Sequence, residues 1–154
     1  MPIMSSMGAL TYGRTTPGPY IPYYGEFMYG GYYAGVYQSQ YLIVAPASTE
    51  FVGQYNTVYS SCEALVSSGY TDWHMPYGAM YPQMAGASNG PGWPPSQYYN
   101  VSLSSLRNYW VRNGYPLTPS SKLTSVYIFA TGAFDLNYGT SIFSCRAIRL
   151  QTPI

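Results

Sequence analysis

The longest apolar run in the chain, Tyr41-Leu42-Ile43-Val44-Ala45, is closed by Pro46 and is no longer than one β-strand. A membrane-spanning helix takes roughly 18–20 such residues, so membrane insertion by a helix is not expected. With 16 glycines and 13 prolines breaking the chain, its elements must be short and its turns many. The 154 residues suffice for one domain with a real core and fall short of two ordinary ones. Charge is scarce: 7% of residues carry one, against roughly a quarter in an average soluble domain. Six Lys and Arg scattered over the whole length make no phosphate-tracking stripe, which argues against a basic nucleic-acid binder. Twenty residues are tyrosine. A surface this poor in charge and rich in rings predicts that copies of the chain, or partners, cover much of it. The opening Met1-Pro2-Ile3-Met4-Ser5-Ser6-Met7 has neither a basic n-region nor a long apolar stretch, so no Sec-type signal peptide is expected.

The organisation reads as an arm followed by one domain. Residues 1–24 include Gly13-Arg14-Thr15-Thr16-Pro17-Gly18-Pro19-Tyr20-Ile21-Pro22, whose closely spaced prolines suit an extended segment. Its apolar Ile3, Met4, Met7 and Leu10 favour an arm lying on a neighbouring subunit over a solvated tail, and Ser5 to Tyr12 has the makings of a short strand. From residue 25 to 154 the pattern is that of a folded domain. Residues 30–37 and 41–46 read as two strands joined by Gln38-Ser39-Gln40. Tyr55 to Ser68 has helical spacing, with Val58, Cys62, Leu65 and Val66 on one side and Gly69 as its C-cap. A second helix is expected from Pro76 to Met84, and residues 85–97 as a loop. Strands are expected again at 108–111, 125–130 and 141–149, with turns at Asn113-Gly114 and Asn137-Tyr138-Gly139. Strands, two helices, a long loop and further strands make an α+β arrangement.

Four of these pieces resemble a known family. Cys62-Glu-Ala-Leu-Val-Ser-Ser-Gly-Tyr-Thr-Asp-Trp-His-Met-Pro76 is similar to the helix followed by Gly-x-x-Asp-Trp-Arg-Leu-Pro of the Lcl C-terminal domain family. Tyr109-Trp110-Val111 resembles its Tyr-Trp-Ser-Ser strand, and Ile142-Phe-Ser-Cys145-Arg146-Ala-Ile-Arg149 its closing Val-Arg-Cys-Val-Arg strand. Gly30-Gly31-Tyr-Tyr-Ala-Gly35, followed by Leu42-Ile43-Val44-Ala45-Pro46, is similar to the opening of tailed-phage members. The resemblance covers roughly residues 25–150 and implies a C-type-lectin-like domain of two short helices, antiparallel sheets and a long loop. It also implies a setting in phage tail or receptor-binding proteins. Two positions depart from the pattern, His74 for Arg and Val111-Arg112 for Ser-Ser, so the resemblance implies the fold rather than a shared ligand. The matched residues also have a structural reading. Trp73 would pack in the core with its indole N–H on a backbone carbonyl, Asp72 would cap the following helix or turn, and Pro76 would open that helix, with Trp110 on its strand as part of the same scaffold. The resemblance further implies a disulfide between Cys62 and Cys145, worth on the order of 4–5 kcal/mol for a loop of that length. Two buried thiols are the alternative reading.

Chemistry-bearing residues are few. Five acids (Glu26, Glu50, Glu63, Asp72 and Asp135), one histidine (His74) and two distant cysteines supply neither a calcium cage nor a zinc site, so no metal and no cofactor is expected. A lone imidazole with no Gly-x-Ser-x-Gly and no evident carboxylate pair makes an enzyme the least expected class. Tyrosine, in contrast, offers a broad rigid contact surface with a hydrogen-bonding tip. Trp93, Tyr98, Tyr99, Tyr115 and Tyr138 are the expected contact set, either for a ligand or for neighbouring subunits, while other tyrosines fill the core. The expectation is a virion protein of a tailed phage, made in the host cytoplasm. It would act at the tail or tail fibre in recognising a host glycan or surface protein, or else as a capsid or tail decoration subunit. Its expected partners are itself, as a trimer, and other virion proteins.

Overall fold

The run at residues 41–45 lacks the polar alternation of an ordinary surface strand because both of its faces are buried. In the structure, a computed structural model that describes residues 20–87, 101, 103–104 and 106–153, β3 (Gln40–Val44) lies between β2 (Gly31–Tyr37) and β9 (Ile148–Gln151), with β1 (Phe27–Met28) outside β2. All three pairings are antiparallel. Leu42 and Val44 enter one core cluster, Ile43 and Ala45 the other. A second sheet has the order β4 (Phe51–Gly53), β8 (Phe143–Cys145), β5 (Asn108–Trp110), β6 (Leu123–Ile128) and β7 (Ala133–Tyr138). It is antiparallel except where β5 and β8 run side by side in parallel. Here too alternate residues part: Tyr109 and Tyr127 join the first core, Trp110 and Val126 the second.

One helix serves each core. α1 (Tyr55–Glu63) buries Tyr55, Val58, Tyr59 and Cys62, a stripe at i, i+3, i+4 and i+7. α2 (Tyr81–Ala87), entered through a 3₁₀ turn at Gly78–Met80, buries Met80, Tyr81 and Met84 against the other faces of the sheets. The molecule is therefore mixed α+β, with two short helices and two sheets among the described residues.

Several boundaries differ from expectation for identifiable reasons. The first helix stops at Glu63 rather than Ser68. Ala64 carries its cap, the Leu65 N–H turns back to the Cys62 carbonyl at 3.2 Å, and Ser68 and Gly69 take positive φ in a tight Ser67–Tyr70 turn. Val66, assigned to the apolar stripe, is exposed. The second helix does not begin at Pro76, whose carbonyl instead accepts from the Arg112 N–H at 2.8 Å. The single closing strand expected at 141–149 is two: β8 leaves the second sheet at Cys145 and β9 enters the first at Ile148. β7 occupies residues expected in part as a turn. The second helix also runs past Met84 to Ala87, so residues 85–87 of the loop expected at 85–97 are helical instead; the expected features at 1–19 and the rest of that loop lie outside the described residues. Of the arm, Tyr20 to Tyr24 is described, with the Tyr20 hydroxyl and the Tyr23 N–H both on the Glu26 carboxylate.

Candidate functional site

Because charge is scarce, where the charged side chains converge is informative. Glu63, on the last turn of α1, accepts at both carboxylate oxygens: from His74 Nδ1 at 2.9 Å and from Arg112 Nη1 at 2.8 Å. His74 is held by a reciprocal backbone pair with Ile148 of β9, both bonds 2.8 Å. Arg112, just beyond β5, is mostly buried, with its guanidinium over the rings of Tyr59 and Tyr77 at 5.4 and 5.2 Å. Its Nε is buried without a hydrogen-bond partner among the described residues. Beside it, Arg149 of β9 grips both oxygens of Asp72, at 2.7 and 3.0 Å, and lies 4.0 Å over the Tyr70 ring. That grip holds the Asp72 carboxyl below its ordinary pKa. A cavity of about 230 Å³ opens among Asp72, His74, Tyr77, Met80, Arg112, Ile148 and Leu150.

A second charged cluster ties Glu50 to the buried Arg146 at 2.7 Å and to Arg107. It adjoins a larger groove of about 420 Å³, lined by Arg107, Asn108, Ser144 and the apolar Val52, Leu106, Ile142 and Phe143.

The expected contact set divides. Trp93, Tyr98 and Tyr99 lie outside the described residues. Tyr115 and Tyr138 are exposed, and the turns that carry them are both fastened to the first turn of α1. Asn56 exchanges two bonds with the Leu117 backbone, and the Tyr55 N–H donates to Gly139 O at 2.9 Å. Gly139 must be glycine, because a Cβ there would sit 2.3 Å from the Ser120 carbonyl. Tyr138 continues an apolar face. On β7, Phe134, Leu136 and Tyr138 stand opposite Tyr127, Ser125 and Leu123 of β6. Tyr127 is buried, whereas Leu123, Phe134, Leu136 and Tyr138 are all half-exposed or more.

The signature residues have scaffold positions. Trp73 is fully buried with its indole N–H on Tyr70 O at 3.1 Å, and Trp110, also buried, donates to Gly53 O at 2.9 Å. Asp72 caps no helix; Arg149 has claimed its carboxylate. Cys62 and Cys145 face each other in the core as thiols, with sulfurs 3.5 Å apart, well beyond the roughly 2.05 Å of a disulfide bond. The expected juxtaposition is present and the expected bond is not formed in this structure. Burial pushes the Cys145 thiol well above its ordinary pKa.

Chemically, the Glu63–His74 pair could orient an imidazole, yet no hydroxyl or thiol of the described residues hydrogen-bonds to that ring. Among the described residues no three His, Cys, Asp or Glu side chains gather as a metal site, and no helix is long and apolar enough to cross a membrane. Sequence reasoning named Asp72 but missed Glu63, Tyr77, Arg112 and Arg149 as its neighbours. The available signal was their rarity: a charge in an apolar strand such as Ile148-Arg149-Leu150 needs a partner wherever it is buried. No family model matches the chain, and no curated protein matches it.

Proposed function

We propose that this chain is a binding and assembly module, in the setting its sequence resemblance suggests: a tailed-phage virion component at the tail or tail fibre, with a lectin-like domain that recognises the host surface. The observation that carries the assembly half is the apolar face of Leu123, Phe134, Leu136 and Tyr138 on β6 and β7. β7 is the outermost strand of its sheet, its single charge is Asp135, and no described strand pairs with its outer side. An edge so lightly guarded is a template for another chain, and a face of this kind marks an interaction surface. The same face favours a second reading, in which the chain is a decoration subunit whose rings are buried between neighbours.

Size-exclusion chromatography with light scattering tests the shared claim. The purified chain should run as an oligomer, and Leu136→Lys should shift it to monomer with its circular dichroism unchanged. A wild-type chain that stays monomeric at high concentration overturns the proposal. Copy number in purified particles then separates the readings, a few copies at the tail tip supporting recognition and hundreds on the shell supporting decoration.

A further inference from the structure

We infer that the outer edge of β7 pairs with β7 of a second copy of this chain, antiparallel across a two-fold axis centred on Leu136. The inference rests on the assembly half of the proposed function and gives that surface its partner and its register.

The direction of the edge's backbone groups follows from their neighbours. On β6 the Ser125 carbonyl accepts from the Val111 N–H at 3.1 Å, so it faces β5, whereas the Lys122 carbonyl just before β6 accepts from the Gly139 N–H at 2.9 Å, on the β7 side. Bonded pairs recur at every second residue of an antiparallel ladder. In the register of β6 and β7, Asp135 and Asn137 therefore spend their backbone groups on β6, opposite Val126 and Thr124, and Phe134, Leu136 and Tyr138 turn theirs outward. Two bonds agree with this. The Leu136 N–H donates to the carboxylate of its neighbour Asp135 at 2.8 Å, and the Tyr138 carbonyl accepts from the Ser141 N–H at 2.9 Å. The three outward residues are also the exposed apolar row of the strand.

That row is symmetric about Leu136, so a reversed copy of the same strand matches it. Phe134 falls opposite Tyr138 of the second copy, Leu136 opposite Leu136, and Tyr138 opposite Phe134. Each pair brings apolar side chains together on one face, the arrangement that stabilises neighbouring strands. The Tyr138 carbonyl accepts its additional bond on its other lone pair. Asp135, the strand's one charge, selects this register. It lies opposite Asn137 of the second copy, whose amide donates to the carboxylate once the second copy's Leu136 carbonyl takes over the Leu136 N–H. An axis at Asp135 would instead set two carboxylates face to face, which is destabilising. An axis at Asn137 would leave Phe134 without a strand residue opposite it. β4, the other edge of this sheet among the described residues, has three residues against six in β7, so head-to-tail pairing would leave half of β7 unmatched. The two-fold contact joins the five-stranded sheets of both copies into one. It closes at two copies, so the association it drives is a dimer rather than the trimer expected from the sequence.

Sedimentation equilibrium of the full chain should give a dimer. Asn137→Lys sets an ammonium group opposite each Asp135 and should tighten it about threefold or more, whereas Asn137→Asp sets carboxylate against carboxylate twice and should weaken it about tenfold or more. Mixed and oxidised, the Asp135→Cys and Asn137→Cys proteins should form a disulfide joining the two positions, since opposed residues of such a pair stand about 4.5 Å apart at Cα. Either protein alone should not, because its two new thiols would lie on diagonal positions about 7–8 Å apart. Peptide mass spectrometry separates this link from the buried Cys62 and Cys145. Circular dichroism of each variant establishes that the fold is kept, and the charge pair and the cysteine pair test the register independently. A trimer overturns the inference and keeps the assembly reading. So does a dimer that Asn137→Lys tightens no more than Asn137→Asp, or one in which the mixed cysteine proteins link no faster than either alone. A wild-type chain that stays monomeric sinks the assembly reading itself.

Discussion

Arg146 and Arg149 stand three positions apart in the closing run of the chain, and each is buried against a carboxylate from a distant element. Arg146 meets Glu50, just before β4, and also donates to the Val101 carbonyl; Arg149 meets Asp72 and donates to Tyr29 O. A guanidinium in such a place is tolerable only because its fork is matched on several sides. The Glu50 cluster separates burial from charge, since Arg146 is 2% exposed and Arg107 is 49% exposed on the same carboxylate. Arg146→Met should cost about 3 kcal/mol, because it takes the buried partner from Glu50 and the donor from the Val101 carbonyl, leaving Glu50 the exposed Arg107. Arg107→Met should cost under about 1 kcal/mol, the ordinary worth of an exposed pair. Urea unfolding at constant m measures both, and equal losses would mean that burial of the arginine is not what matters.

Short elements were legible where their chemistry is local, and less so where a distant contact decides. The hairpin of β2 and β3 was read from the polar break between two apolar runs, although its turn residues are unusual. Tyr37 pairs with Gln40 across the two-residue turn, so Gln38 and Ser39 both take left-handed φ, 49° and 66°, where Asn-Gly is the usual choice. A side chain in that region costs roughly 1–2 kcal/mol. Ser39→Gly should therefore stabilise the protein by about 1 kcal/mol, after glycine's own entropy is set against the relief; an unchanged or lower urea midpoint would contradict the turn. β7 is hidden in the sequence because Asn137-Tyr138-Gly139 at its end carries the pattern of a turn, while its apolar alternation ends on solvent. Spacing alone carries the helix after Tyr55 too far, because Leu65 and Val66 continue it and nothing in the local sequence says that Ser68 and Gly69 turn back on Ser67. The candidate site is the extreme case. Its members come from α1, the loop after it, the end of β5 and β9, so only the tertiary fold brings them together.

Across the whole molecule, the tyrosines divide between two uses that composition alone does not separate. Tyr33, Tyr55, Tyr59, Tyr81, Tyr109 and Tyr127 belong to the core clusters, where Tyr81 stacks on Tyr127 at 4.9 Å and Tyr55 meets Trp110 edge-on at 5.5 Å. The hydroxyls of Tyr55, Tyr59, Tyr81 and Tyr109 are matched individually. Tyr55 accepts from the Asn113 N–H at 2.7 Å, Tyr109 from the Ser104 N–H at 2.8 Å, and Tyr81 donates to the Trp110 carbonyl. A phenol so placed can be buried at little cost while it is neutral and at great cost once ionised. Burial accordingly pushes Tyr55 and Tyr109 up to about 12 and Tyr81 well above its ordinary value. Since these groups bind their protons more tightly folded than unfolded, the stability linked to them is complete below the unfolded phenol value near pH 10. It is lost as pH rises from there through about 12, by on the order of 2 kcal/mol for each of Tyr55 and Tyr109. Absorbance at the phenolate band should resolve a late class of rings, Tyr55, Tyr81 and Tyr109 among them, that ionises together with unfolding. Thermal melts should hold steady up to about pH 9 and fall steeply beyond about pH 10. A single phenolate transition near pH 10, with melting temperature unmoved through it, would mean that the rings assigned to the core are in water.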